Sequence, residues 1–335
     1  MNTPRVRVAL YALGGTIAAQ SRGPGGGAHP DLTPDALLAA VPAVAEAADV
    51  TAVPWRQVMS TELTLVDLMA VVDSARRAVV EGAAGIVITT GTDTMDEVAF
   101  ALDLLWRSDA PLVLTGAMRR ADQPGADGPA NLLSAVRVAA SPAARRLGCV
   151  VVMNNEIHAA RHVQKTHTTN PAAFRSTNTG PLGQLHEDHV SVLMWPVGRP
   201  HLPMPFQAPA HLAPVALLRC GLGDDGRMLS RLLDLGYTGL VVDTAGGGAV
   251  PAHWAEPLGR LAASIPVVYA SRTGAGAVLE DTYGAAGCEK DLSARGLIPA
   301  GMLDGLKARI LLTLLISRGA DTGELRAAFR SPYTL

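Results

Sequence analysis

Two threonines follow predicted strands in short loops that contain glycine. Thr16 ends the sequence Gly-Gly-Thr at residues 14–16, and Thr92 lies within Gly-Thr-Asp at residues 91–93. Glycines let backbone amides approach a ligand closely, which suits a site that must stabilise an oxyanion. The same residue types also build ordinary turns, and either loop taken singly fits a turn better than a catalytic site.

Further side chains that could take part in chemistry lie elsewhere in the chain. Ser60 lies on a predicted connection between a strand and a helix. Lys165 lies among several threonines, although lysine is usually a solvated surface group. His158 and His162 have the spacing of zinc ligands on a helix, but the glutamate expected next to the first histidine of a zinc protease is absent. We therefore predict hydrogen-bonded or exposed histidines and no metal site.

The predicted elements place the threonine loops after the carboxyl ends of strands. Apolar, β-branched runs predict strands at residues 6–13, 86–90, 111–115 and 147–153. Thr94 and Glu97 stand three apart before a helix-spaced segment, which predicts a capping box and leaves residues 91–93 as the loop where ligands bind in open sheets. Repeated strand, loop and helix units predict an α/β fold with a doubly wound, mostly parallel sheet.

A proline-rich stretch at residues 195–214 is the best candidate for an interdomain linker. It separates a larger α/β domain, residues 1–194, from a second, smaller α/β domain, residues 215–335. The strands and the last helix of the smaller domain are predicted near residues 215–219, 239–243, 266–270 and 306–317. Its glycine loops lack the spacing of a dinucleotide-binding fingerprint. Residues 21–30 are predicted to form an irregular surface loop, either a lid over the Thr16 turn or inert.

The composition argues against several classes of protein. Of 335 residues, 48% are hydrophobic and 17% charged, which favours a compact chain long enough for two domains. A net charge of -2 without a long Lys/Arg block argues against nucleic acid or a membrane surface as a partner. Three separated cysteines predict reduced thiols, and no stretch predicts a secretory signal or a membrane span. Cytoplasmic residence is the resulting expectation.

Taken together, the motifs resemble those of the bacterial-type L-asparaginases and their asparaginase-glutaminase relatives. They occur in the order typical of that family, and the resemblance as a whole covers nearly the whole chain. They are Gly-Gly-Thr-Ile-Ala at 14–18, Ser60, Gly-Thr-Asp-Thr-Met at 91–95, Gly-Ala-Met-Arg at 116–119, Asp-Gly-Pro at 127–129, and Lys165-Thr166 with Gly-Pro-Leu-Gly at 180–183. The resemblance implies hydrolysis of L-asparagine to L-aspartate and ammonia, with no metal and no organic cofactor.

The resemblance also implies how the reaction is catalysed. Thr16 would attack the side-chain amide carbon and form an acyl-enzyme, which water then hydrolyses. Thr92, Asp93 and Lys165 resemble the family's buried cluster for proton transfer. A cluster of this kind is needed because a threonine hydroxyl is a poor nucleophile until a nearby base, such as a desolvated lysine, takes its proton.

Contacts to the substrate are implied in the same way. Asp93 would bind the α-ammonium group, and Ser60 the α-carboxylate, with Thr61 beside it. The backbone at Thr92 would donate to the oxyanion, and the carbonyl of Ala117 would accept a hydrogen bond from the leaving amide. The family also implies a homo-oligomer, a tetramer or a dimer, with active sites completed between subunits.

The chain departs from the family pattern in several places. The tyrosine that usually follows Gly-Gly-Thr in the lid is absent from residues 21–30. Glu289 matches the glutamate that a neighbouring subunit places beside that tyrosine, and Tyr283 is our candidate replacement. Thr61 stands where secreted members often have glutamine, and residues 246–249 read Gly-Gly-Gly-Ala in place of Gly-Asn-Gly-Asn. Substrate affinity and the choice between asparagine and glutamine are therefore left open.

Alternative functions fall into two classes. One is catalytic: a glutaminase-asparaginase, or an enzyme for another amide such as a D-amino acid or a peptide-linked asparagine. The other is a non-catalytic protein that binds small amino acids and kept the fold while its lid lost the tyrosine. Release of ammonia separates the two classes, because only an enzyme turns the amide over.

Overall fold

The computed structural model describes residues 5–21, 23, 27–196, 202 and 211–330. The chain packs as two compact units, residues 1–197 and 198–335. The predicted linker at residues 195–214 lies largely outside the described residues. The division into domains 1–194 and 215–335 stays a prediction at the level of its boundaries.

The first unit contains strands and helices that we number in chain order. Its strands are β1 (Arg7–Ala12), β2 (Ala19–Ser21), β3 (Ala28–Pro30), β4 (Asp49–Val53), β5 (Gly85–Thr89), β6 (Leu112–Thr115), β7 (Cys149–Met153), β8 (Glu156–Ala159), β9 (Val163–Lys165), β10 (Phe174–Ser176), β11 (Gly183–His186) and β12 (His189–Val192). Its helices are α1 (Pro34–Ala39), α2 (Ala43–Ala47), α3 (Leu65–Val80), α4 (Met95–Leu105) and α5 (Gly128–Ala140). Short 3-10 turns lie at Thr16–Ala18, Ser60–Glu62 and Pro142–Ala144.

Eight of these strands form one sheet in the order β12-β11-β8-β7-β6-β5-β1-β4. The five strands from β4 to β7 pair in parallel, and β8, β11 and β12 continue the sheet antiparallel. The mostly parallel sheet predicted from the sequence is confirmed. Because β4 lies on one side of β1 and β5 on the other, the chain reverses its winding direction between β1 and β5. Ligands bind at such a switch point, beyond the carboxyl ends of the strands.

Helices cover the parallel strands, which is why these strands are apolar on both faces. In β5, Val87 and Ile88 point to opposite sides of the sheet and both are fully buried. Helix α5 packs over the central strands, where Leu132 and Val136 join the core, and α3 and α4 pack against each other and on the sheet. Burying a side chain such as Leu132 stabilises the fold by roughly 2 kcal/mol.

The second unit has a separate parallel sheet of four strands. These are β13 (Val215–Arg219), β14 (Gly239–Thr244), β15 (Val267–Ser271) and β16 (Ile298–Pro299), paired in that order. Its helices are α6 (Ala252–Ala262), α7 (Glu289–Ala294), α8 (Gly305–Ser317) and α9 (Thr322–Arg330), and a 3-10 turn lies at Arg227–Arg231. The expectation of a second, smaller α/β unit is confirmed. Helix α9, which follows the predicted last helix, was missed because only Leu325 and Phe329 bury apolar surface.

Two local predictions were wrong. Residues 21–30 are not irregular throughout, because β2 and β3 pair antiparallel and bring Ser21 opposite Ala28. Thr94 does occupy the N-cap position of α4, but its hydroxyl makes no capping hydrogen bond. It donates instead to the carbonyl oxygen of Ser60 at 3.0 Å, so the threonine fastens the Ser60 turn to the start of α4.

The two histidines with zinc-like spacing do not share a helix. His158 lies in β8 and is 1% exposed, while His162 lies in the turn that follows. The Nδ1 atom of His158 is 3.0 Å from the hydroxyl of Ser176. Within the described residues, no group of three or more His, Cys, Asp or Glu side chains is arranged to hold a metal ion. In the same part of the chain, no helix has the length and apolar character needed to cross a bilayer.

Because His158 is buried, we predict that the protein loses stability in acid. Burial, with a smaller effect from Arg175, lowers the pKa of His158 from 6.5 to about 4. The unfolded chain therefore takes up a proton near pH 6.5 that the folded chain takes up only near pH 4. The free energy of unfolding should fall by about 1.4 kcal/mol per pH unit across this window, or about 3 kcal/mol in all. Denaturant unfolding at several pH values should show that the free energy of unfolding falls more steeply with falling pH in the wild type than in His158→Gln. Equal slopes would contradict this account.

Candidate active site

The loops after β1 and β5 touch at the switch point of the sheet. Gly15 has a φ of 85°, and a Cβ atom on it would lie 2.2 Å from the backbone nitrogen of Gly91. A Cβ atom on Gly91 would in turn lie 2.9 Å from the Oγ atom of Ser60. Only glycine allows such approaches, since any side chain would separate the backbones. The three loops that carry Thr16, Thr92 and Ser60 are thus packed together.

Lys165 joins the Thr92 loop from a distant part of the sequence. Its Nζ atom donates to Thr92 Oγ1 at 2.9 Å and to Asp93 Oδ1 at 2.6 Å. The lysine side chain is 14% exposed, and Asp93 is 58% exposed. The ion pair therefore has one largely buried partner and one that faces solvent. The structure brings together the three residues that the resemblance placed in one cluster.

The position of Lys165 is set by hydrogen bonds of its backbone. Strand β9 ends at Lys165 and pairs with β10, where Lys165 lies opposite Phe174. The backbone N–H of Lys165 donates to Asp96 Oδ2 at 3.1 Å, which ties the strand to the first turn of α4. Asp96 is a site-supporting residue that the sequence reasoning missed. Its only local signal was an acidic side chain in the first turn of a helix, which is common.

The cluster has the chemical capacity to move protons. A charged lysine that donates to Thr92 Oγ1 leaves the hydroxyl proton of Thr92 free to face another group. Asp93 uses Oδ1 for the lysine, and its Oδ2 atom has no hydrogen bond to a described residue. One hydroxyl and one carboxylate oxygen can thus face a ligand. An open depression of about 540 Å³ lies beside them, lined by Asp93 and residues 165–168.

Thr16 begins the 3-10 turn directly after Gly15. The next two residues, Ile17 and Ala18, are buried and fix the turn in the core, while Thr16 itself is half-buried. No described residue makes a hydrogen bond to the Thr16 hydroxyl. The hydroxyl is therefore on a rigid backbone without a side-chain contact that would compete with a ligand.

The predicted substrate contacts differ in their exposure. Ser60 is buried at the start of its 3-10 turn, whereas Thr61 is exposed. Ala117 is fully buried in the loop after β6. This loop is held by Asp127, whose carboxylate accepts the backbone N–H groups of residues 118 and 119 at 2.8–3.1 Å.

Tyr283 and Glu289 lie together in the second unit. Glu289 begins α7, is 1% exposed, and accepts backbone N–H groups of Thr282 and Tyr283 through Oε1. The Tyr283 residue is 58% exposed, so its phenol is available to another surface. The buried glutamate fixes the backbone that carries this tyrosine. A role for either residue at the Thr16 site stays a prediction.

Thr16 is a candidate nucleophile at the switch point of the doubly wound sheet, next to the loop of the Thr92, Asp93 and Lys165 cluster. This combination indicates a hydrolytic enzyme. Comparison with known proteins narrows this class. The Asparaginase, N-terminal, family profile matches residues 7–197, and the Glutaminase/Asparaginase C-terminal domain profile matches residues 214–329. The chain therefore belongs to the asparaginase family, and the resemblance found in its motifs is confirmed.

Relatives match the chain over most of its length. A probable periplasmic L-asparaginase of Haemophilus influenzae is 34% identical, over 96% of this chain and 92% of the relative. A probable L-asparaginase of Deinococcus radiodurans is 35% identical, over 96% of this chain and 97% of the relative. The crystal structure of a probable cytoplasmic L-asparaginase from Campylobacter jejuni is 31% identical and aligns with a TM-score of 0.87, over 97% of this chain and 99% of that one.

Proposed function

We propose that the protein is an amidohydrolase that converts L-asparagine to L-aspartate and ammonia. The observation that carries this proposal is the cluster in which Lys165 Nζ donates to both Thr92 and Asp93. It lies at the position where a doubly wound sheet binds ligands. Family membership and relatives named as L-asparaginases support the same activity.

Thr16 is the proposed nucleophile. Its Oγ1 atom attacks the carbon of the side-chain amide, and the carbonyl oxygen becomes an oxyanion that the backbone N–H of Thr92 stabilises. The amide nitrogen takes up a proton and leaves as ammonia, which gives a β-aspartyl ester on Thr16. A water molecule then attacks this ester and releases L-aspartate. In both steps the hydroxyl of Thr92, next to Lys165, passes the proton between the attacking oxygen and the leaving group.

The substrate is oriented by groups at the rim of the cluster. Asp93 Oδ2 is the proposed partner of the α-ammonium group, since Oδ1 already accepts from Lys165. Ser60 is proposed to bind the α-carboxylate, with Thr61 at the edge of the site. The carbonyl oxygen of Ala117 is proposed to accept a hydrogen bond from the amide nitrogen, which holds the scissile group in line with Thr16.

Activity measurements test the proposal directly. Ammonia release from L-asparagine, L-glutamine, D-asparagine and a peptide-linked asparagine should be fastest with L-asparagine. Comparable rates with L-glutamine would favour a glutaminase-asparaginase. That second candidate is favoured by residues 246–249, which lack the side-chain amides that could select substrate length. Binding of asparagine or aspartate without ammonia release would contradict an enzyme altogether.

The completed active site is proposed to need a second copy of the chain. We infer a homo-oligomer, a dimer or a tetramer, in which Tyr283 and Glu289 of one subunit complete the site of another. The exposed phenol of Tyr283 and the buried Glu289 that fixes its backbone support this arrangement. We also propose a cytoplasmic enzyme, as its Campylobacter jejuni relative is named, although the Haemophilus influenzae relative is named periplasmic. Cell fractionation decides between the compartments.

Replacing Tyr283 by phenylalanine tests the role of its hydroxyl. If the phenol activates Thr16, Tyr283→Phe should lower the turnover of L-asparagine by about 10²-fold, as expected for loss of a general acid–base group. Stability should be nearly unchanged, because the residue is exposed. Tyr237→Phe, in the same unit, is the matched control. Unchanged steady-state kinetics in Tyr283→Phe would remove this residue from the mechanism.

A further inference from the structure

Asp127 occupies the N-cap position of α5 but does not cap the helix. Its carboxylate accepts no backbone N–H group of the first turn of α5. Both carboxylate oxygens point to the loop after β6, where they accept from Met118 N–H at 2.9 and 3.1 Å and from Arg119 N–H at 2.8 Å. An aspartate at this position usually satisfies helix N–H groups, so its use here serves the loop.

Asn131, one turn further along α5, completes the connection. Its Nδ2 atom donates to the carbonyl oxygen of Gly116 and to Asp127 Oδ2, each at 3.1 Å. Its Oδ1 atom accepts from the backbone N–H of Asn154 at 3.0 Å, in the turn after β7. Asn131 is 3% exposed, and a buried amide that is hydrogen-bonded at both ends holds a rigid geometry. It thus joins the loops that follow two neighbouring strands.

These contacts hold the backbone on both sides of Ala117. The oxygen of Gly116 is taken by Asn131, and the N–H groups of residues 118 and 119 are taken by Asp127. Between them, the carbonyl oxygen of Ala117 accepts no hydrogen bond from any described residue. The backbone is therefore held on both sides of the Ala117 carbonyl group.

The same end of α5 also touches the residue after Thr16. A Cβ atom on Gly128 would lie 3.1 Å from Ile17 Cγ1 and 3.4 Å from Ala117 Cβ. Gly128 is therefore packed between the Thr16 turn and the loop after β6 that carries Ala117, the Ala117 loop. The first turn of α5 sets the position of both relative to each other.

We propose that Asp127 and Asn131 are positioning residues that hold the Ala117 carbonyl as the acceptor for the leaving amide nitrogen. This inference rests on the proposed function, because it assigns a purpose to the Ala117 acceptor. Neither side chain touches the reacting atoms. Their contribution is alignment, and misplacement of a reacting group by about 1 Å can lower a rate by about 10²-fold.

An amide and an ester substrate separate alignment from general damage. L-Asparagine has an amide N–H that needs the Ala117 acceptor, whereas the leaving oxygen of L-aspartate β-methyl ester has none to donate. We expect Asn131→Leu and Asp127→Ala to lower kcat for asparagine by about 10²-fold, while kcat for the ester falls by less than about tenfold. Asp127→Asn, which keeps one acceptor oxygen, should recover part of the asparagine activity.

Ser134→Ala is the matched control for these variants. Ser134 is 6% exposed on α5 and its hydroxyl is 3.0 Å from Asn155 Oδ1, so its hydrogen bond goes to the turn after β7 and not to the loop that carries Ala117. Its ratio of amide to ester activity should equal that of the wild type, at matched thermal stability. Equal loss of both activities in the Asn131 and Asp127 variants, or no loss, would overturn this inference but not the proposed function. A wild type that hydrolyses neither substrate would overturn the proposed function as well.

Discussion

Replacing Thr16 by alanine is expected to abolish ammonia release from L-asparagine. The variant lacks the hydroxyl that attacks the amide carbon, and loss of a nucleophile lowers kcat by about 10³-fold or more. The fold should tolerate the change, because Thr16 is half-buried and no described residue hydrogen-bonds its hydroxyl. We expect the free energy of unfolding to change by no more than about 0.5 kcal/mol.

Thr16→Ser is the control for this experiment. Serine keeps the hydroxyl and removes only a methyl group, so it should retain measurable turnover while alanine has none. Steady-state ammonia release by both variants, with denaturant unfolding beside it, provides the comparison. Alanine and serine variants that both work as well as the wild type would show that Thr16 is not the nucleophile.

Replacing Lys165 by methionine is the second large effect that we expect. Methionine has similar length but no charge and no donor, so Thr92 Oγ1 and Asp93 Oδ1 both lose their partner. Loss of proton transfer should lower kcat by roughly 10²- to 10⁴-fold. Because Asp93 is 58% exposed and water can replace the lysine, the loss of stability should be at most about 1 kcal/mol.

Lys165→Arg tests whether the site needs the geometry of the lysine or only its positive charge. Arginine keeps the charge, but its planar fork does not reproduce the single donor atom that contacts both Thr92 Oγ1 and Asp93 Oδ1. We therefore expect the kcat of Lys165→Arg to be as low as that of Lys165→Met. Recovery of most activity by arginine would show that the site needs only a positive charge. Thr92→Val should lower turnover as well, since it removes the hydroxyl between Lys165 and the substrate.

Local patterns in the sequence predicted the elements that position the site. The apolar run that forms β5 and the glycine after it predicted a strand followed by a ligand-binding loop, because these features act within a few residues. The contact between Thr92 and Lys165 joins residues 73 positions apart, and no local spacing predicts it. Only the resemblance to a family placed these two residues in one cluster.

Long-range contacts also explain the predictions that were wrong. Thr94 and Glu97 marked the correct start of α4. The Thr94 hydroxyl does not cap the helix, however, because it donates to the carbonyl oxygen of Ser60, 34 positions away. The hairpin of β2 and β3 was missed because glycine is unfavourable in strands, and here the pairing lies at the ends of the glycine-rich segment. Asn131 reads as an ordinary polar residue in a helix, and only its contacts with Gly116, Asp127 and Asn154 indicate a role.

The most direct test of the account is to trap the covalent intermediate. The wild-type enzyme is mixed with L-asparagine, quenched with acid during turnover, digested and mapped by mass spectrometry. We predict a β-aspartyl group on the peptide that contains Thr16, and none on that peptide in Thr16→Ala. A β-aspartyl group on Thr92 or another residue, or aspartate formed with equal efficiency by Thr16→Ala, would show that Thr16 is not the nucleophile.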